Sequence, residues 1–160
     1  MFPIENLLVI TALLGAAIIG GGLFVFSSFI MKSLSRLPAA EGIAAMQSIN
    51  VVVMNVSFIG TFMGTAALSV ALLFTSFGEA GSLAGTLVNT GAVLYLVGTF
   101  LVTARGNVPL NHRLAAVDAN DASSALVWED YLERWTRLNT LRTAAALAAV
   151  LSFAAALASA

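Results

Sequence analysis

Cysteine is absent from this chain of 160 residues, and histidine occurs only once. The lack of cysteine excludes disulfides, thiolate metal sites, iron–sulfur clusters and cysteine nucleophiles. The single histidine, His112, excludes bis-histidine haem ligation within one chain, and the Glu and His set of a ferritin-like di-iron site is missing as well. The sequence therefore predicts neither a metal site nor a bound cofactor.

Charged residues are scarce too. Only 9% of the residues are Asp, Glu, Lys or Arg, and 59% are hydrophobic, whereas a soluble domain has about 25% charged residues. The formal net charge of -1 does not provide the basic surface that a nucleic-acid-binding protein needs. We therefore expect an integral membrane protein whose partner is the lipid bilayer, and no nucleic-acid partner.

Four apolar runs approach the length of about 20 residues that crosses a bilayer. They cover approximately residues 7–31, 51–77, 82–103 and 141–160, and are joined by the polar segments 32–50 and 104–140. The predicted fold class is all-α, a bundle of four transmembrane helices. Residues 1–160 form a single membrane domain in this prediction, with helices 2 and 4 extended into the cytoplasm.

All seven basic residues lie between spans one and two or between and at the edges of spans three and four. The positive-inside rule then predicts that both polar segments are cytoplasmic and that both termini lie outside the cytoplasm. The expected location is a bacterial inner membrane. The Ala-rich fourth span suits close helix packing, either within one chain or in a homo-oligomer.

Two positions decide where the predicted helices end. No helix breaker separates Ala39 from span two, so a single helix of nearly forty residues is expected there. Asn55 lies within it and should face the bundle, because an amide inside hydrocarbon needs a partner. Pro109 is expected to interrupt the third helix, since it lacks an N–H donor and disfavours helical geometry at Val108.

The last helix should begin near Ser123 or Ser124 and continue through span four. At about 100° per residue, five of its residues fall on one face: Trp128, Tyr131, Trp135, Asn139 and Arg142. This stripe is either an interfacial anchor or a functional site, because an arginine near hydrocarbon needs a partner. The Pro109 segment places Asn107, Asn111 and His112 at the same membrane surface, which predicts an apolar pocket with a few polar groups.

Four sets of residues carry a family resemblance: Phe24–Phe29; Pro38–Gln47; Gly98-Thr99 with Asn107–Asn111 and Leu114–Asp118; and the stripe from Trp128 to Arg142. In these sets the chain resembles the anthrone oxygenase-like family of small four-helix membrane proteins. The resemblance runs over most of the chain. It implies oxygenation of a polycyclic anthrone to an anthraquinone without a recognised cofactor, and therefore a lipophilic aromatic small molecule as ligand.

Such a reaction needs a flat apolar pocket, a base, and a cation for the enolate oxygen. His112 is the candidate base, with Asp118 second, and Arg142 or Arg105 is the candidate cation. The candidate substrate-binding residues are Trp128, Tyr131 and Trp135, which would stack on the substrate, and the amides Asn107, Asn111, Asn139 and Asn55.

A non-catalytic protein is the alternative hypothesis, either a small-molecule binder, a carrier or an accessory subunit. Transporters usually place ionisable groups or broken helices near the membrane midplane. The four predicted spans contain no acidic residue, which disfavours an ion-coupled carrier. Oxygen uptake with an anthrone separates the enzymatic hypothesis from the alternatives.

Overall fold

The computed structural model describes residues 3–76 and 81–159, and the regular elements within them are all helical. The predicted ends of the second and fourth spans, residues 77 and 160, lie outside the described residues. These described residues form five helices: α1 (Ile4–Leu34), α2 (Ala39–Val52), α3 (Val56–Thr75), α4 (Leu83–Ala115) and α5 (Ser124–Ala158). Four of them, all except α2, are long and apolar enough to cross a membrane. The all-α four-span fold is therefore confirmed, and the chain is an integral membrane protein.

The four long helices surround a common core. Helix α5 packs against α1 and α4, and α3 also packs against α1 and α4. The shorter α2 packs on α5 and on the C-terminal part of α4. Its Gln47 donates hydrogen bonds to the carbonyls of Leu114 (2.9 Å) and Val117 (3.0 Å). Because the last carbonyls of a helix have no partner within it, Gln47 both closes α4 and fixes α2 to it.

The predicted continuous second helix is wrong. Helix α2 ends at Val52 and α3 begins at Val56, with Asn55 as the residue that caps α3. The Asn55 side chain accepts a hydrogen bond from Phe58 N (2.9 Å) and donates one to the Val52 carbonyl (2.9 Å). Asn55 is also exposed, so the expectation that it faces the bundle is wrong too. Asparagine is a preferred N-cap, and here its local bonds separate the two helices.

The predicted interruption at Pro109 is wrong as well, because α4 continues to Ala115. Residues Thr103–Asn107 form a π-helical segment in which Val108 N donates to the Thr103 carbonyl, five residues back, and Val108 itself is helical. A π turn shifts the hydrogen-bond register by one residue. The helix therefore accommodates Pro109 just after a turn that is already widened, and the missing N–H donor does not end it.

Two hydrophobic clusters lie at different levels along the bundle. One fills the middle of the four helices and includes Ile19, Tyr95 and Phe153. The other lies where α2 packs on α4 and α5, and includes Met46 and Trp135. Six polar residues from α1, α4 and α5 separate the clusters, and we call them the polar layer: Ser27, Thr99, Thr103, Asn107, Asn139 and Arg142.

Candidate functional site

Arg142 lies at the centre of the polar layer. It projects from α5 toward α4 and is only 5% exposed. Its Nη1 donates to Thr103 Oγ1 (3.0 Å) and its Nη2 donates to Asn139 Oδ1 (2.6 Å). The guanidinium carbon lies 5.3 Å from the ring centroid of Trp135, a distance at which a cation is attracted to the ring face. Arg142 therefore has neutral partners on two helices and an aromatic partner on its own helix.

The positive charge of Arg142 is not balanced by a carboxylate among residues 3–76 and 81–159. The two ion pairs recorded there, Arg113–Asp130 (2.9 Å) and Arg134–Asp130 (3.4 Å), both lie at the surface. The Nε of Arg142 is buried and has no acceptor in the described part of the chain. A buried cation without a counter-ion is costly, and an ionisable group inside a membrane helix indicates a functional site. The arrangement is therefore suited to an anionic ligand oxygen.

Asn139 connects Arg142 to α1. Its Nδ2 donates to the Leu23 carbonyl (2.7 Å) and to Ser27 Oγ (2.7 Å). Ser27 Oγ also lies 3.0 Å from Thr140 Oγ1. Because Asn139 is fully buried and its oxygen and nitrogen have different partners, its orientation fixes the position of the Arg142 Nη2 group.

Three stacked rings occupy the next turns of α5 toward the loop. The Trp128 and Tyr131 rings are 5.7 Å apart at 15°, and the Tyr131 and Trp135 rings are 6.0 Å apart at 22°. Asn111 Oδ1 accepts hydrogen bonds from Tyr131 Oη (2.9 Å) and Trp135 Nε1 (2.8 Å). Gly42 of α2 makes room for this stack, since a Cβ there would lie 2.8 Å from the Trp128 ring. The rings are buried and contact one another, so they form an apolar wall beside the polar layer.

Asn107 completes the polar layer from α4. Its Nδ2 donates to the Trp135 carbonyl (3.2 Å). Its Oδ1 is buried and has no donor within residues 3–76 and 81–159. A buried polar atom without a partner costs about 1–3 kcal/mol. Asn107 Oδ1 and Arg142 Nε therefore offer an unsatisfied acceptor and an unsatisfied donor in the same layer.

The structure brings together seven of the residues proposed from sequence. They are Trp128, Tyr131, Trp135, Asn107, Asn111, Asn139 and Arg142. Three others, His112, Arg105 and Asn55, are exposed and lie outside this cluster. Asp118, the second candidate base, is also exposed. It lies in the loop before α5, where its Oδ1 accepts a hydrogen bond from Asn120 N (2.9 Å).

The sequence reasoning did not select Ser27, Thr99 and Thr103, which all lie in π-helical segments: Phe26–Ile30, Leu94–Leu101 and Thr103–Asn107. Thr99 Oγ1 donates to the Arg142 carbonyl at 3.2 Å. Single π turns within α-helices occur frequently at functional sites, and here three of them surround the buried arginine. In the sequence these three residues stand out only as polar residues within apolar runs. A polar residue in an apolar run does not by itself show where a π turn will form.

No group of three His, Asp or Glu side chains that could hold a metal ion occurs in the part of the chain that the structure describes. The donors of the polar layer are amides, hydroxyls and a guanidinium. The chemistry of this layer is therefore hydrogen bonding and stabilisation of negative charge.

Comparison with known proteins gives one result that bears on this site. No curated protein and no solved structure matches the chain. The family model described as anthrone oxygenase matches residues 54–152. That match spans more than half of the chain and contains α3, α4 and the polar-layer residues of α5. The chain therefore belongs to the anthrone oxygenase family.

Proposed function

We propose that the protein is a membrane oxygenase that converts an anthrone-like polycyclic phenol to a quinone without a cofactor. The observation that carries the proposal is Arg142, a buried cation with an unsatisfied Nε and no carboxylate partner in the described chain. An anthrone reacts through its enolate, whose negative oxygen matches this cation. The membership in the anthrone oxygenase family supports the same substrate class.

The reaction requires only dioxygen as a second reactant. Loss of one proton from the central ring of the anthrone gives the enolate, which transfers one electron to dioxygen and forms superoxide and a carbon radical. Their combination forms a carbon–oxygen bond, and protonation gives a hydroperoxide. Loss of water then leaves the new carbonyl. One oxygen atom of O2 ends in the quinone and the other in water, so atoms and electrons balance.

In this proposal Arg142 stabilises the enolate oxygen, and Asn107 Oδ1 accepts a hydrogen bond from a phenolic hydroxyl of the substrate. A fixed donor aimed at developing negative charge is a strong contribution to catalysis in a buried site. Asn139 and Asn111 are positioning residues, since Asn139 holds the guanidinium and Asn111 holds the Tyr131 and Trp135 rings.

His112 and Arg105 have no contact with the substrate in this proposal, because both side chains are exposed outside the polar layer. The proton of the substrate passes to water at the edge of the bundle. Arg142 promotes this step because a nearby cation lowers the pKa of an acid that becomes negatively charged.

The orientation in the membrane is part of the proposal. The exposed basic residues near the C-terminal ends of α1 and α4 and in the first half of α5 support a cytoplasmic location for that end of the bundle, with both termini on the other side of a bacterial inner membrane. The polar layer then lies near the cytoplasmic membrane surface, where a lipophilic phenol from the bilayer and water for proton transfer are both available.

Oxygen consumption by the purified protein tests the proposal. In a neutral detergent, addition of an unsubstituted anthrone should start oxygen uptake above the rate of heat-denatured protein, with one O2 consumed for each quinone formed. Metal analysis of the same sample shows whether a metal copurifies. A protein that binds the anthrone but consumes no oxygen contradicts the oxygenase proposal and supports the binder or carrier alternative.

A further inference from the structure

A groove runs along the surface between the C-terminal part of α1 and the N-terminal half of α5. It is lined by residues within 27–35 and 132–140, has a volume of about 450 Å³ and is open to the outside. Ligand sites for small molecules have volumes of about 300–1,000 Å³. The groove is therefore large enough for a polycyclic compound, and we call it the lateral groove.

Hydrogen bonds connect the lateral groove to the buried arginine. Ser27 and Thr140 line the groove, and their hydroxyls are 3.0 Å apart. Behind them Asn139 Nδ2 donates to Ser27 Oγ (2.7 Å), and Arg142 Nη2 donates to Asn139 Oδ1 (2.6 Å). Ser27 lies in the π-helical segment Phe26–Ile30 of α1, so the backbone is irregular where the two helices meet. The groove thus leads directly to the polar layer.

The rim of the groove carries two exposed cations on opposite sides. Lys32 extends from α1 and Arg137 from α5, and neither forms an ion pair with a residue in 3–76 or 81–159. Glu133 is the one acidic residue that lines the groove, so one positive charge remains in excess. Met31 and Leu132 supply apolar surface between the charges.

We propose that the lateral groove binds a polycyclic phenol that carries a carboxylate and admits it to Arg142. Lys32 and Arg137 bind the carboxylate at the rim, the rings lie against Met31 and Leu132, and the reacting oxygen displaces the Ser27–Thr140 contact to reach the guanidinium. The inference rests on the proposed function for the class of ring system. A phospholipid phosphate could also bind to these two cations. It would not, however, account for the hydrogen bonds that connect the groove to the buried cation Arg142.

Binding of redox-inert quinones tests the inference without catalysis. Anthraquinone-2-carboxylate and unsubstituted anthraquinone are titrated into wild-type protein in neutral detergent, with quenching of the fluorescence of Trp128 and Trp135 as the readout. We expect the carboxylate to bind at least tenfold more tightly. In the variant Lys32→Gln/Arg137→Gln this preference should disappear, while affinity for the uncharged quinone stays within about twofold. A wild-type preference below twofold overturns the inference.

Two matched variants control for charge and for bulk. Arg36→Gln/Arg134→Gln removes two exposed cations that do not line the groove, and it should keep the carboxylate preference. Thr136→Phe fills the groove, whereas Thr90→Phe places the same ring in an exposed groove elsewhere, beside Asn89 and Val93. We expect at least tenfold weaker binding of both quinones for Thr136→Phe only. Equal effects of the two phenylalanines contradict the assigned location.

A competition experiment with phospholipids distinguishes a lipid phosphate from a carboxylate as the ligand of the groove. The same titration is repeated with phosphatidylglycerol or phosphatidylcholine added to the detergent. If phosphatidylglycerol abolishes carboxylate binding at a few molecules per protein, the groove is a lipid site and the inference is wrong. The proposed function can fail separately: a wild-type protein that shows the carboxylate preference but no oxygen uptake retains the groove and loses the oxygenase activity.

Discussion

At the scale of single residues, the most unusual feature is the buried charge of Arg142. Insertion of an arginine into a membrane helix costs up to about 2.5–3.5 kcal/mol, the value at the helix centre, and the cation–π contact with Trp135 offsets about 0.5–2 kcal/mol of such a cost. The hydrogen bonds to Thr103 and Asn139 satisfy two of its five N–H donors. A folded structure that needed only stability would be served as well by an apolar residue, and substrate binding is therefore the role proposed for this side chain.

Replacing the charge is the most direct prediction at this scale. Arg142→Gln should lower kcat for anthrone oxidation by about 100-fold to 1,000-fold, the range for loss of one oxyanion donor. Its thermal unfolding temperature in detergent should stay close to that of the wild type, because the substitution also removes a buried charge that has no carboxylate partner in the described chain. Oxygen uptake and a thermal melt on the same sample measure both effects.

Arg36→Gln is the matched control, since Arg36 is exposed and lies outside the polar layer. It should keep the wild-type rate. Arg142→Lys keeps the charge but loses the planar fork that reaches two partners at once, so its rate should lie between those of the wild type and Arg142→Gln. If Arg142→Gln oxidised the anthrone at a rate within twofold of the wild type, the guanidinium would have no part in the reaction.

At the scale of elements, three π-helical segments lie where the polar layer forms within apolar helices. Each π turn adds one residue to a turn and therefore rotates everything after it by about 100° relative to a regular helix. Helix α4 contains two such segments, Leu94–Leu101 and Thr103–Asn107. Thr99, Thr103 and Asn107 are spaced four residues apart, which a regular helix would also place within about 80° of one another, and all three bond to α5.

Close contact between α4 and α5 is a prediction at the same scale. A Cβ at Gly98 would overlap the Cβ of Ala145 on α5, so Gly98→Ala should push the two helices apart. Overpacking of this kind costs about 1–3 kcal/mol, which a lowered thermal unfolding temperature in detergent would show. Because Thr99 follows Gly98 and bonds to the Arg142 carbonyl, activity should fall along with stability.

Gly64→Ala in α3 is the control for that variant, since a Cβ there would meet nothing within 4 Å. Alanine favours a helix interior over glycine by about 0.5–1 kcal/mol, so Gly64→Ala should unfold at the wild-type temperature or above it. Gly98→Ala unfolding at the same temperature as Gly64→Ala would mean that α4 and α5 do not approach as closely as described.

At the scale of the whole molecule, charged residues are gathered toward one end of the bundle. The polar layer, the stacked rings and the charged connections all lie on the side of α2, whereas the residues buried around Ile19 and Phe153 include hydroxyls but no charged group. In the proposed orientation this end faces the cytoplasm. Substrate, dioxygen and water would then meet near one membrane surface, which suits a lipophilic substrate and a reaction that releases a proton.

Single-cysteine labelling checks this orientation, and the chain provides a clean background because it contains no cysteine. In a bacterial host, Leu37→Cys and Asn120→Cys should react with a membrane-impermeant maleimide only in inverted vesicles. Gly81→Cys, at the opposite end of the bundle, should react only in right-side-out spheroplasts. All three positions are exposed in the structure. Labelling of Asn120→Cys from the outside would invert the proposed topology.

The sequence by itself determined the features that depend on local composition and on regular periodicity. Four apolar runs of this length predict four helices, because a chain that crosses the hydrocarbon core must satisfy its backbone hydrogen bonds internally. The positions of the basic residues set the expected orientation. The stripe on α5 could be predicted because α5 is a regular helix over its whole length. All five of its residues are buried.

Only the tertiary structure decided the rest. Whether Asn55 faced the bundle or capped α3 depended on which hydrogen bonds were available after packing, and whether Pro109 ended α4 depended on the π turn before it. The sequence could not show that Arg105 and His112 of α4 are exposed, because the buried face of α4 depends on the helices that pack against it. A linear pattern specifies one face of a regular helix, but the neighbouring helices determine which face is buried once that regularity is broken.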